Sequence, residues 1–240
     1  MTARACDTYK NKHIVCFGDS VTQGVPHVAP ADTFPAVLER RLNAFHGPQV
    51  QFCATNAGVG GENTAEGLAR IQRDVLDHSP DLVLIEFGLN DIRYEPAKRI
   101  SEDQFADNLR EMHRLLVERG AAVIFMTPTP IVGAYHVYSK GTDYYNQWGD
   151  CNGLNAIYAE VIRQVARELE APLCDIYEAF VQEAVRAEFR GETFDYRDLS
   201  VLSRYISSRD GVHPTAAGQE LIAAELYAVI VRQSLLVTRA

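Results

Sequence analysis

Leu82-Val83-Leu84-Ile85 is set off by Pro80-Asp81 in front and stopped by Gly88-Leu89-Asn90-Asp91 behind. The run is unbroken and apolar. A strand with one wet face alternates polar and apolar residues, so a run of this kind is buried on both faces, as in a parallel sheet covered by helices. Working upstream, Ile14-Val15-Cys16-Phe17 is a second such run and breaks at Gly18-Asp19-Ser20, and Val50 to Thr55 reads as another strand. Downstream, Ala122 to Met126 is a strand halted by Pro128 and Pro130, and Pro172 to Ile176 a short fifth one.

Between the strands, apolar residues recur at helical spacing. Phe34 to Ala44 has Thr33 as a candidate cap, Pro35 in its first turn and Val37, Leu38 and Leu42 on one face. The next helix runs to about Asp77 with Leu68, Ile71, Val75 and Leu76 aligned. Others cover Glu102 to Arg119 (ended by Gly120), Gly153 to Leu169, Ala179 to Phe189 and Thr215 to Arg232. This alternation predicts an α/β fold, a three-layer α/β/α domain around a parallel five-stranded sheet, occupying residues 1–240 as one unit. Spacing alone does not set the strand order. In the order 2-1-3-4-5, the first and third strands meet at the topological switch point, where Ser20 and Asn90 lie.

The 240 residues carry 23 Lys+Arg against 32 Asp+Glu, a net charge of −9. That balance argues against nucleic acid or an anionic membrane as partner. No apolar run reaches the roughly 20 residues of a membrane span, and Met1 to Asp7 lacks a signal-peptide core. Of five cysteines, Cys16, Cys53 and Cys174 fall in predicted buried strands, which suggests a reduced, cytoplasmic protein. Gly18 to Gly24 does not supply a dinucleotide fingerprint, and the histidines, His136 among them, are scattered rather than set at metal-ligand spacing. The sequence carries no signal for or against a homo-oligomer.

Acyl transfer needs a nucleophile, a base, a carboxylate to orient the base, and donors for an oxyanion. Ser20 follows the first strand, Gly61 the second and Asn90 the third, so all three share one sheet edge. Asp210 and His213 lie three apart in a loop that enters the last helix. Each feature alone has an ordinary reading. Ser20 or Asn90-Asp91 suits a helix cap, Gly58, Gly60 and Gly61 suit a tight turn, and Asp210 and His213 suit a solvated loop.

Taken together, Gly18-Asp19-Ser20, Asn56 to Gly61, Gly88-x-Asn90-Asp91 and Asp210-x-x-His213-Pro214 resemble the four sequence blocks of the SGNH (GDSL) hydrolases. The blocks span most of the chain. The resemblance implies a flavodoxin-like sheet and a serine esterase, lipase or acyl-carbohydrate deacylase that acts on a small-molecule ester with no metal and no cofactor. By position it implies Ser20 as nucleophile, His213 as base, Asp210 as its orienter, and Ser20, Gly61 and Asn90 as oxyanion donors. Val21 stands where the family has leucine, and the double glycine leaves Gly60 as an alternative to Gly61. An acyltransferase with the same triad, or a non-catalytic module binding acylated ligands, are the competing readings.

Ile131 to Asp150 has no periodicity, which is unusual inside a compact domain and often functional. It holds Tyr135, Tyr138, Tyr144, Tyr145 and Trp148 just past the fourth strand. Aromatic rings with polar tips there suggest a substrate wall or lid that favours a short acyl group on a polar, carbohydrate-like alcohol. A packed structural excursion or a subunit contact is the alternative.

Overall fold

The computed structural model describes residues 10–46, 50–133, 135–136, 142–189 and 199–236. Five parallel strands, β1 (Lys10–Gly18), β2 (Val50–Gly58), β3 (Leu82–Glu86), β4 (Ala122–Met126) and β5 (Leu173–Cys174), form one sheet in the order β2-β1-β3-β4-β5. Every residue of β3 is buried, as its unbroken run demands, and Ile14 to Phe17 of β1 are fully enclosed beside it. Helices α1 (Ser20–Gln23), α2 (Phe34–His46), α3 (Thr64–Asp74), α4 (Glu102–Glu118), α5 (Cys151–Glu168), α6 (Ile176–Phe189) and α7 (Ala216–Gln233) complete a three-layer α/β/α arrangement. α2 packs on α7 and on β2, α7 also meets α6, and α3, α4 and α5 pack in succession. Among the described residues no helix is long and apolar enough to cross a membrane.

Several local expectations change. β2 is the sheet edge, so Phe52 turns inward and Cys53 is exposed rather than buried. The third helix ends at Asp74 and a 3-10 turn, Leu76–His78, follows, with Ser79 in left-handed backbone at φ 48°. α6 begins at Ile176 and β5 keeps two residues. Thr127 Oγ1 accepts from Tyr177 N (2.8 Å) and Asp175 Oδ1 from Glu178 N (3.2 Å), so the first turn of the helix is capped where a strand end was expected. Thr33 does not cap α2. Its hydroxyl donates to Pro30 O at 2.9 Å, and Phe34 N instead donates to Gln219 Oε1 of α7 at 2.7 Å.

Gly18, Gly58 and Glu86 stand level at the carboxyl ends of β1, β2 and β3. Gly18 has to be glycine: a Cβ there would lie 2.2 Å from Thr22 Oγ1 and 2.4 Å from Glu86 O. The chain therefore turns from β1 into α1 directly against β3, and the loops carrying Ser20, Gly61 and Asn90 open on one edge.

Candidate active site

Asp19 caps α1, its Oδ1 accepting from Val21 N at 2.9 Å. The ordinary capping role is thereby taken by Asp19, and the Ser20 hydroxyl stands 3.0 Å from His213 Nε2. His213 is held from the other end of the chain. Its backbone oxygen accepts from Ser207 N at 2.8 Å, Ile206 bridges to Pro214, and Thr215 caps α7 through Gly218 N.

Asp210 braces this loop and faces the imidazole. Oδ1 accepts from Val212 N (2.9 Å) and His213 N (3.0 Å), while Oδ2 lies 3.1 Å from His213 Nδ1, an oblique approach rather than a straight hydrogen bond. Burial works to raise the Asp210 pKa, but those N–H donors and the imidazole hold it below the ordinary carboxylate value. A charged carboxylate beside Nδ1 favours the tautomer with Nδ1 protonated, which leaves the Nε2 lone pair for the serine.

Two further histidines converge on Asp210. The His27 ring stacks on His213 with centroids 3.5 Å apart and planes 11° apart, and its Nδ1 is 3.9 Å from Asp210 Oδ2. Burial and repulsion from His213 lower the His27 pKa against the pull of Asp210. His136 is buried, and burial takes its pKa down to about 4. Histidines that are scattered along the chain are thus gathered in space. The donor atoms of His27, Asp210 and His213 lie within 4.8 Å of one another, a separation that a metal site also shows. Parallel stacked rings point their in-plane lone pairs side by side rather than at a common point, so the set does not fit a tetrahedral ion.

Across from His213, on the loops after β2 and β3, Asn90 Nδ2 donates to Asp19 Oδ2 at 3.0 Å. Gly60 N donates to Gln23 Oε1 at 3.1 Å, and Gly61 follows in left-handed backbone at φ 81° with open space where a Cβ would sit. Asn56 ties the end of β2 to α1, its Nδ2 donating to Thr22 O (2.9 Å) and its Oδ1 accepting from Gly58 N (3.0 Å). Buried Arg70 of α3 pins the same corner, reaching Gly18 O at 3.0 Å and Ala57 O at 2.9 Å. Asp91 does not cap the helix after it. It accepts from Thr64 N (2.9 Å) at the start of α3, and Ser101 caps α4.

A cavity of about 320 Å³ opens above Ser20, His213, Asp210, Asn90, Gly60 and Gly61. Val25, Pro26, Leu89, Ile92, Ile131 and Val212 give it apolar walls, and Gln23, His27, His136, Arg93, Tyr94 and Glu95 supply polar groups. Of the aromatic segment, Tyr145 lines the cavity, its hydroxyl donating to Ile92 O at 3.2 Å. Tyr135, Tyr144 and Trp148 do not line it. Tyr144 and Trp148 pack on each other with centroids 5.3 Å apart, and Arg99 covers Tyr144 at 4.8 Å. Tyr138 lies outside the described residues. Sequence reasoning did not single out His27, Gln23, Arg70 or Glu86. A histidine in the polar loop shortly after Ser20 is the one signal that pointed toward any of them.

With this geometry in hand, the comparisons with known proteins are consistent. A protein of Bacillus subtilis (strain 168) named uncharacterized lipoprotein YqeF is 29% identical over 194 residues, covering 74% of this chain and 75% of that protein. The acetylxylan esterase of Geobacillus stearothermophilus is 24% identical over 182 residues, 73% of this chain and 71% of its own. The crystal structure of a lipase/acylhydrolase from Enterococcus faecalis shares the fold at a TM-score of 0.68 and 24% identity, covering 95% of this chain and all of that one (100%). The model of the GDSL-like lipase/acylhydrolase family matches residues 16–221. The chain belongs to that family and is a carboxylic ester hydrolase.

Proposed function

We propose that the protein is a serine esterase that removes a short acyl group from a polar, carbohydrate-like alcohol through an acyl-enzyme. The observation that carries this reading is the 3.0 Å contact between Ser20 Oγ and His213 Nε2, with Asp210 behind the imidazole. His213 takes the Ser20 proton as Oγ attacks the ester carbonyl carbon. The charge that develops on the carbonyl oxygen is met by Ser20 N, Gly61 N and the Asn90 amide. Gly61 is favoured over Gly60 because Gln23 already occupies the Gly60 N–H. When the intermediate collapses, His213 returns the proton to the departing alcohol, leaving acyl-Ser20. Water then gives its proton to His213 and attacks the acyl carbon, and the acid leaves as the Ser20 hydroxyl is restored. Asp210 remains a carboxylate throughout and stabilises the imidazolium of each step.

The substrate class rests on the cavity and on one relative. A volume of about 320 Å³ with apolar walls suits a small acyl chain, and the Arg93, Tyr94, Glu95 and His27 groups suit a hydroxyl-rich leaving group. A relative of 24% identity is named an acetylxylan esterase. Cys16, Cys53, Cys151 and Cys174 are free thiols, which fits a reducing, cytoplasmic setting. The test is a panel of p-nitrophenyl esters of rising acyl length run beside acetylated sugars. Highest kcat/KM on acetyl esters together with acetate release from the sugars is the expected result. A preference for long acyl chains with no deacetylation overturns the substrate class.

A further inference from the structure

Glu86 and Asp19 are both buried, at 1% and 0% exposure, on either side of Gly18: Asp19 follows it in the chain and Glu86 stands opposite it in the register of β1 and β3. Two carboxyls buried at one corner keep a proton between them, because two like charges in a dry site are prohibitive. The surroundings assign that proton. Asp19 faces N–H donors on both oxygens, Val21 N on Oδ1 at 2.9 Å and Asn90 Nδ2 on Oδ2 at 3.0 Å, which favour its ionised form. Glu86 meets one hydroxyl, Thr22 Oγ1 on Oε2 at 2.9 Å, and its other oxygen, Oε1, is buried with no donor facing it. Oε1 is therefore the atom left to carry the proton. Burial, together with the charge on Asp19, pushes Glu86 well above the usual carboxyl range, and burial moves Asp19 up to about 7. Arg70, the buried cation among the described residues, is committed to the Gly18 carbonyl and Glu62.

We propose that Glu86 is a positioning residue: as a neutral carboxyl it donates to Asp19, keeps Asp19 anionic, and so fixes the Asn90 amide with its nitrogen toward Asp19. An amide can turn over and present its oxygen instead. An anionic Asp19 admits only the N–H end, whereas a protonated Asp19 would accept either. The inference rests on the reading of Asn90 as an oxyanion donor. One Asn90 N–H is spent on Asp19, and the orientation of the second follows from the first.

Glu86→Gln supplies an N–H donor to Asp19 and an oxygen for Thr22 in nearly the same shape, and Glu86→Leu supplies neither. With a short p-nitrophenyl ester, E86L should lose about tenfold to a hundredfold in kcat, short of the roughly 10²–10³ lost with a whole oxyanion donor. KM should stay within about threefold, and E86Q should recover most of the lost kcat. Infrared difference spectra of E86Q against the unaltered protein, taken without substrate, should show the loss of one protonated-carboxyl carbonyl band at neutral pH. A folded E86L with unchanged kcat overturns the proposal. So does an E86Q as impaired as E86L, or a difference spectrum that loses an ionised carboxylate band instead. If E86L does not fold, E86Q and the infrared band still decide. The band is independent of any ester, so its outcome is separable from failure of the esterase reading, which would appear as an unaltered protein inactive on every ester.

Discussion

His27 lies flat on His213, ring centroids 3.5 Å apart and planes 11° apart, and both rings address the same oxygen, Asp210 Oδ2. The half-exposed imidazole thus covers one face of the imidazole that touches Ser20 and competes with it for one carboxylate. Burial and repulsion from His213 lower the His27 pKa, which favours its neutral ring. His27→Ala should uncover that face and remove the competitor. The expected result is a loss of about twofold to tenfold in kcat/KM and an acid limb of the pH–rate profile displaced to higher pH, because the uncovered imidazolium is better hydrated and no longer shares Asp210. Stopped assays of H27A across acid and neutral pH check it; an unmoved acid limb removes His27 from the catalytic environment.

Ser20→Ala should remove about 10⁴-fold or more of the ester turnover and leave the melting temperature nearly unchanged, since the hydroxyl contributes contact with His213 and little packing. Asp210→Asn keeps an oxygen for Val212 N and His213 N but loses the charge that sets the imidazole tautomer. A drop of about 10²–10⁴ in kcat with modest change in KM is expected. Turnover retained by S20A would place the nucleophile elsewhere.

Tyr145 and Trp148 should separate cleanly. Tyr145 walls the cavity, so Tyr145→Ala should widen it and move the kcat/KM optimum toward longer acyl chains. Trp148 packs on Tyr144 away from the cavity, so Trp148→Ala should lower stability by about 1–3 kcal/mol and leave the acyl profile as it was. The acyl-length panel and thermal melts on the two variants check both halves.

His136 gives a stability prediction with a definite sign. Its pKa is about 4 in the folded chain, below the unfolded value of about 6.5, because burial disfavours the cation. The unfolded chain therefore binds the extra proton first, and the contribution of His136 to stability is lost as pH falls from about 6.5 to about 4. Its size is about 1–3 kcal/mol after allowance for partial solvent screening. The raised carboxyl of Asp91 acts with the opposite sign, losing stability as pH rises toward about 7, so the measurement is a difference. Melts of His136→Gln and the unaltered protein should converge toward acid pH, with the unaltered protein gaining relative to the variant as pH rises through this window. Parallel curves would show that His136 is not held neutral by the fold.

What the sequence determined by itself is local. Unbroken apolar runs at Ile14 and Leu82, each cut by a glycine and a polar cluster, specify strands buried on both faces, and helical spacing between them specifies a covered parallel sheet. The residues at the strand ends, Ser20, Gly61 and Asn90, are legible for the same reason, since strand ends of a parallel sheet share one edge. What the tertiary structure alone decided involves partners far apart in the chain. Cys53 is exposed because β2 takes the sheet edge, a matter of strand order that no local pattern encodes. Gln219 supplanted Thr33 at the start of α2 across 185 positions, and Glu86 met Thr22 across 64. His27 is an ordinary loop histidine until the loop before α7 delivers His213 against it, and the raised pKa values of Asp19 and Glu86 exist only once folding removes water from both. Burial and stacking are properties of the packed whole, so the chemistry they tune could be read only there.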